Sequence, residues 1–325
     1  MRAIPNCKKI MATFLVAAFT IGFVSNVLGN NALGLGKSLK SKNNTCLGTS
    51  QIHAPVEPES DYSEWSGSYV YFGAYNGIPT IFRVLDPSSD KFGGPTMFLD
   101  CNKILKGIRF DDDSDVWADS ELRTYLNTDY YNNSFSNAEK GAIASSTIES
   151  HNLQYGSSSG FVSTYAVGVY KKYVALEGDK IFLLDAEDVS NIAYGYSVGR
   201  ASNNKKKDFP YWWLRSANET NNCAGNVGLE GYLGADEVTF DWIGVSPALN
   251  VDLNEVLFST AIDGSLGQVG TTYKLTIIYD DLSVTAGSVS VSGTTFTCSA
   301  TGNADQVSLL ITDGEWNASG SSIIY

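Results

Sequence analysis

The sequence predicts a mixed α+β fold of short helices and twisted antiparallel strands, followed by a partial β-sandwich. Three observations predict it. The β-rich runs "YVYFGAY" and "IPTIFRVL" are joined by Asn76-Gly77, the dipeptide that tolerates the positive φ values of a type I′ hairpin turn. The stretch "WADSELRTYLN" sets Trp117, Leu122, Tyr125 and Leu126 at helical spacing behind an Asp119/Ser120 cap. After Thr271 the chain turns to short period-2 strands separated by turn residues, an immunoglobulin-like pattern too brief for a complete sandwich.

Each element has a local cause. In residues 1–29, Arg2, Lys8 and Lys9 precede the apolar run Ile10 to Leu28, which reads as an export signal, cut near Val27-Leu28-Gly29 or retained as a membrane anchor. Residues 30–64 lack apolar periodicity and read as a disordered tether. A domain over 65–270 opens with the hairpin and continues with the strand "TMFLDC" and the capped helix. A second helix begins at the capping box Ser136-x-x-Glu139. "KIFLLDAEDVSNI" then reads as a strand ending in a helical turn capped by Asp185, and residues 208–252 as short strands with glycine turns. Residues 271–325 form the partial immunoglobulin-like module.

Composition narrows the partners. A net charge of −13 repels a phosphate backbone or an anionic membrane surface. Nucleic acid is excluded, and membrane contact is left to the N-terminal anchor. Outside the signal, Cys46, Cys101, Cys223 and Cys298 fit no CxxC metal pattern. Most of them are expected to be free, buried thiols.

Three groups of residues could carry chemistry. Asp111, Asp113 and Asp115 repeat the i, i+2, i+4 spacing of calcium ligands in an EF-hand loop. Val116 and Leu122 occupy the turn-glycine and bidentate-glutamate positions, so the bland reading is a solvated loop capping the next helix. Calcium is the one cofactor this pattern suggests. The histidines are His53, in the tether, and His151; any histidine-dependent hydrolase must use His151, and no GxSxG, HExxH or phosphate-loop motif accompanies it.

The third group is "YWWLRSANETNNC". On a strand, Trp212 and Trp213 point to opposite faces, one into the core and one half exposed. Arg215 is read as a structural strut. The loop after it presents Asn218, Glu219, Asn221 and Asn222, polar groups on an irregular backbone of the kind that recognises ligands. Trp242 beside Asp241 adds an aromatic platform if exposed.

"YVYFGAYNGIPTIFRVLD", "WADSELRTYLN", "DKIFLLDAEDV", "WWLRSA" and "GVSPALNVDL" together resemble an uncharacterised bacterial family of exported domains of unknown function, over residues 68 to 253. Phe82, Tyr125 and Ser246 depart from its pattern, the last by losing an arginine. The order Trp-Arg-Ser, glycine-punctuated strands, Gly-Val-x-Pro-Ala is also similar to the C-type-lectin-like fold, which the resemblance implies here without its sugar-binding or cysteine chemistry.

The expectation is an exported, non-enzymatic binding or adhesion module, secreted or on the cell surface. Its partner would be an extracellular glycan, cell-wall polymer or protein. The alternatives are an extracellular hydrolase or modifying enzyme built on His151, and a structural spacer of the cell surface.

Overall fold

A computed structural model describes residues 45–47, 49–56, 65–153, 170, 172–196, 211–220, 222–229, 231–277, 284–292 and 295–302. The expected export signal, most of the expected tether and the strands expected after residue 302 lie outside the described residues. Among the described residues no helix is long and apolar enough to cross a membrane.

The first four strands are β1 (Thr45–Leu47), β2 (Tyr69–Tyr75), β3 (Ile78–Ser89) and β4 (Thr96–Cys101). Short strands come next: β5 (Ser146–Ile148), β6 (His151–Asn152), β7 (Lys172–Tyr173), β8 (Leu176–Asp179) and β9 (Ile181–Phe182). After them lie β10 (Trp212–Ala217), β11 (Cys223–Val227), β12 (Leu233–Glu237), β13 (Ala248–Asp252), β14 (Val256–Asp263) and β15 (Thr272–Ile277). The last described strands are β16 (Val284–Ser292) and β17 (Thr295–Gly302). Eight of them make one sheet in the order β1-β14-β15-β2-β3-β4-β13-β9, and β10-β11-β12 make a separate antiparallel sheet.

Local chemistry explains the nucleating turns. Asn76 and Gly77 have φ of 52° and 76°, and Tyr75 pairs with Ile78 across them, so the two-residue turn sets the β2/β3 register. Lying between β3 and β13, β4 is buried along its whole length, which is why "TMFLDC" shows no alternation. Ser120 Oγ accepts the Arg123 N–H at 3.1 Å to start the first helix, which runs through a π turn at Leu126–Tyr130. Ser136 and Glu139 close a reciprocal capping box, as do Asp185 and Asp188.

The α+β, C-type-lectin-like expectation is overturned: the chain is mostly β, arranged in several sheets. Among the described residues no α-helical segment exceeds the six residues of Asn137–Ala142. Capping signals mark where a helix starts and do not set its length.

The C-terminal reading changes as well. Thr272–Ile277, expected to open an immunoglobulin-like module, lies inside the main sheet, parallel to β2 and antiparallel to β14. Beyond it, the described residues form a single hairpin, β16-β17, and not two packed sheets. Part of the expected tether is structured: β1 pairs with β14, Ile52 is buried, and Gln51 O accepts the Tyr273 hydroxyl at 2.7 Å.

Candidate functional site

Strand β10 organises the surface of interest. Trp212 through Ser216 are all buried, so both tryptophans are core residues and neither is half exposed. The register of β10 against β11 breaks between Trp213 and Ala217, and successive side chains, which alternate between the two faces of the strand, are buried on both. Trp213 Nε1–H donates to Ile108 O at 2.8 Å, and its ring meets Phe110 edge-on.

Arg215 has no solvent exposure. Its Nε donates to Val174 O at 3.0 Å, and Nη1 donates to Leu183 O at 2.5 Å and Asp188 Oδ2 at 3.1 Å. The Tyr173 ring lies 4.5 Å from the guanidinium carbon. Asp188 Oδ1 also accepts Lys91 Nζ at 2.7 Å, and its Oδ2 accepts the Asp185 N–H that closes the capping box. Burial alone would raise the Asp188 carboxyl, but Lys91 and Arg215 outweigh it and hold it below the usual carboxylate range. This triad joins β10 to the turn after β9 and to the loop before β4.

The predicted recognition residues fall into two places. After β10, Asn218 Oδ1 accepts the Thr220 N–H at 2.8 Å, Glu219 and Asn222 are exposed, and Asn221 lies outside the described residues. Asn222 has a φ of 63°, and its carbonyl accepts the Val238 N–H. Asp241 and Trp242 lie at the other end of β10, beside Tyr211. The five residue steps of β10 separate the two ends by about 17 Å.

At the Tyr211 end the side chains form an aromatic shelf. Trp242 is 45% exposed, with Tyr211 edge-on at 5.3 Å and Phe240 tilted at 5.6 Å. Backbone packing holds it: Gly244 exchanges hydrogen bonds with Tyr211 O and the Trp213 N–H. A Cβ on Gly107 would come within 2.6 Å of Asp241 O, so only glycine permits this approach. The β11/β12 turn presses Gly228 against the Tyr211 ring and exposes Leu229 (56%) and Tyr232 (49%). Tyr211, Phe240 and Tyr232 carry no sequence motif, and sequence reasoning does not find them; aromatics flanking a glycine turn are the only signal that points their way.

At the opposite end, Asp111, Asp113 and Asp115 do not gather around a cation. Asp111 Oδ1 accepts the N–H groups of Asp113 and Ser114, both at 3.1 Å, and Oδ2 accepts that of Glu121 at 2.9 Å. Burial tends to raise its carboxyl, and these backbone donors outweigh it to hold it low. Among the described residues no group of three acidic, histidine or cysteine side chains could hold a metal ion. The calcium-ligand spacing is therefore a helix cap, because the lone pairs of Asp111 are occupied by the backbone.

His151 stacks on Tyr173, centroids 4.8 Å apart, and its Nε2 lies 3.0 Å from Glu187. Burial pushes the Glu187 carboxyl up. Among the described residues no hydroxyl or thiol bonds the imidazole. Cys101, expected as a free, buried thiol, is buried in β4 opposite Phe82. His53 lies in the ordered part of the tether, its N–H donating to Ser68 Oγ.

Residues 97–253 match a family model described as a domain of unknown function, DUF6273. The match runs from within β4 through β13, so it contains Arg215 and Asp188, the aromatic shelf and His151, and leaves out Lys91 and the β2/β3 hairpin. No curated protein and no solved structure matches the chain.

Proposed function

We propose that this chain is an exported, non-enzymatic binding module of the cell surface that holds an extracellular glycan or cell-wall polymer on the shelf of Tyr211, Tyr232, Phe240 and Trp242. The observation that supports it is the 45% exposure of Trp242 on a backbone fixed by Gly107 and Gly244. Large aromatic side chains left in water on a rigid support mark interaction sites, because covering them releases apolar surface without ordering a loop. The apolar C–H face of a sugar ring suits such a shelf, and the exposed Asp241 carboxylate beside it can accept from hydroxyls. The basic residues and apolar run expected to act as an export signal support a place outside the cytoplasm, free or held by the uncleaved signal.

The test is binding of the full chain to a panel of glycans and cell-wall polymers, repeated on Trp242→Ala. Binding weakened tenfold or more by the substitution is expected, which corresponds to about 1.4 kcal/mol. Absence of binding to every polymer, or binding that Trp242→Ala leaves unchanged, would overturn the reading.

One observation favours a second reading, a modifying enzyme: His151 Nε2 sits 3.0 Å from a partly buried Glu187, the contact that orients a general base. An activity screen on extracellular esters, amides and glycosides decides it. Turnover abolished in His151→Ala and retained in Trp242→Ala would establish the enzyme in place of the binding module.

A further inference from the structure

The end of the β10-β11-β12 sheet opposite the shelf holds a cleft of about 160 Å³, with Asp115, Val116, Trp117, Val174, Glu177 and Ala217 among the residues around it. Its volume is close to the about 150 Å³ of an apolar cavity that accepts a benzene ring. The walls are aliphatic and aromatic, and the rim is charged. Among the described residues Arg123 is the one cation at the rim, and it is already committed: Nε pairs with Asp179 Oδ1 at 2.5 Å and Nη1 donates to Ala118 O at 2.8 Å. Asp179 is in turn neutralised by that arginine and accepts the Glu177 N–H.

Two carboxylates remain. Among the described residues neither Asp115 nor Glu177 has a basic partner. Asp115 is half-buried in the rim, and burial pushes its carboxyl up. Glu237 and Asp236 add to the same field: together with Asp115 they raise the nearby Cys223 thiol, after burial itself. Trp117, 2% exposed, is the aromatic residue of the lining. The cleft thus combines an apolar lining that includes Trp117 with two uncompensated negative charges.

We infer that this cleft is a second binding site, for the lysine side chain of a partner polypeptide. The four methylenes would lie along Val116, Val174 and Ala217, and the ammonium would reach Asp115 and Glu177. An ammonium on an apolar stem matches this lining better than a guanidinium, whose planar fork needs a bidentate carboxylate. A neutral aliphatic side chain leaves both carboxylates without a counter-charge. The inference stands apart from the glycan reading, since the shelf is at the other end of β10.

The test is calorimetric titration of the full chain with Nα-acetyl-lysine amide, with Nα-acetyl-norleucine amide as the neutral isostere. Saturable binding with a Kd on the order of 1–10 mM is expected for so small a probe, with no heat from norleucine amide. Asp115→Asn combined with Glu177→Gln should weaken it tenfold or more, and added salt should weaken it as well. Trp242→Ala should leave it unchanged, which separates failure of this site from failure of the shelf. If the double variant melts early, the exposed Glu177→Gln alone serves, with a threefold loss expected. No saturation, equal binding of norleucine amide, or undiminished binding in the carboxamide variants would each overturn the proposal.

Discussion

The two ends of the β10-β11-β12 sheet meet water with opposite chemistry. At one end Trp242, Tyr211 and Tyr232 present aromatic surface with Asp241 as the adjacent charge; at the other, Asp115 and Glu177 border a small apolar cleft. The turns explain the contrast. Where β11 passes into β12, Gly228 leaves room for the Tyr211 ring to come close to the turn, and an aromatic surface results. Where β10 passes into β11, Asn218 and Asn222 build a polar turn against the acidic loop from Asp111 to Asp115. Between them lies a strand interior buried from Trp212 to Ser216 and anchored by Arg215. The difference teaches that one strand can separate two recognition chemistries when its middle is fixed by buried charge.

The largest way to break this comparison is to remove that anchor. Asp188→Ala leaves both Arg215 and Lys91 without their carboxylate, and an uncompensated buried cation costs about 3–5 kcal/mol. Urea unfolding should show that loss, and ligand binding at both ends should fall together. Loss at one end only would mean that the ends do not share β10 as their support.

Asp111→Ala acts on one end. Three backbone N–H groups lose their acceptor, at a cost of about 1–3 kcal/mol, and binding on the shelf should persist. The folded Asp111 carboxyl lies below its ordinary value, so its contribution is complete above the unfolded value of about 3.9. It disappears as pH falls through the lower folded value. The gap between wild type and Asp111→Ala should therefore close below about pH 4. Millimolar calcium should not shift the melting of either protein; a calcium-dependent rise in the wild type would restore the metal reading.

What was legible in the sequence was local. Asn76-Gly77 announces its hairpin because only those residues bear the required φ values without strain, and Ser136 and Asp185 announce helix starts because their partners are three residues away. The Arg215 triad was half legible: a strut was expected, but Asp188 is 27 residues away and Lys91 is 97 from Asp188, and nothing in composition joins them. Both faces of β10 being buried was not legible, since a strand shows its own alternation and not what covers it. Thr272–Ile277 looks like the strands after it, and its parallel partner β2 lies about 200 residues earlier. The two halves of the expected recognition surface were parted by counting alone: between Asn222 and Trp242 the chain passes along β11, back along β12, and out again through residues 238–242. Three passes leave them at opposite ends where two would have brought them together.

The smallest expected effect on stability sharpens the comparison most. Trp242 is nearly half in water, so Trp242→Ala should cost no more than about 1 kcal/mol, well below the about 3–5 kcal/mol of a buried tryptophan. Its edge contact with Tyr211 accounts for about half of that. A thermal melt close to wild type, together with tenfold weaker glycan binding and unchanged lysine-amide binding, would mark the residue as surface kept exposed for a ligand. A loss of 3 kcal/mol or more would instead show that Trp242 packs as core, because removing a side chain that supports the fold costs more than its exposed half alone accounts for. In that case the shelf would be a structural edge, and the acidic cleft would be the only recognition chemistry left on this sheet.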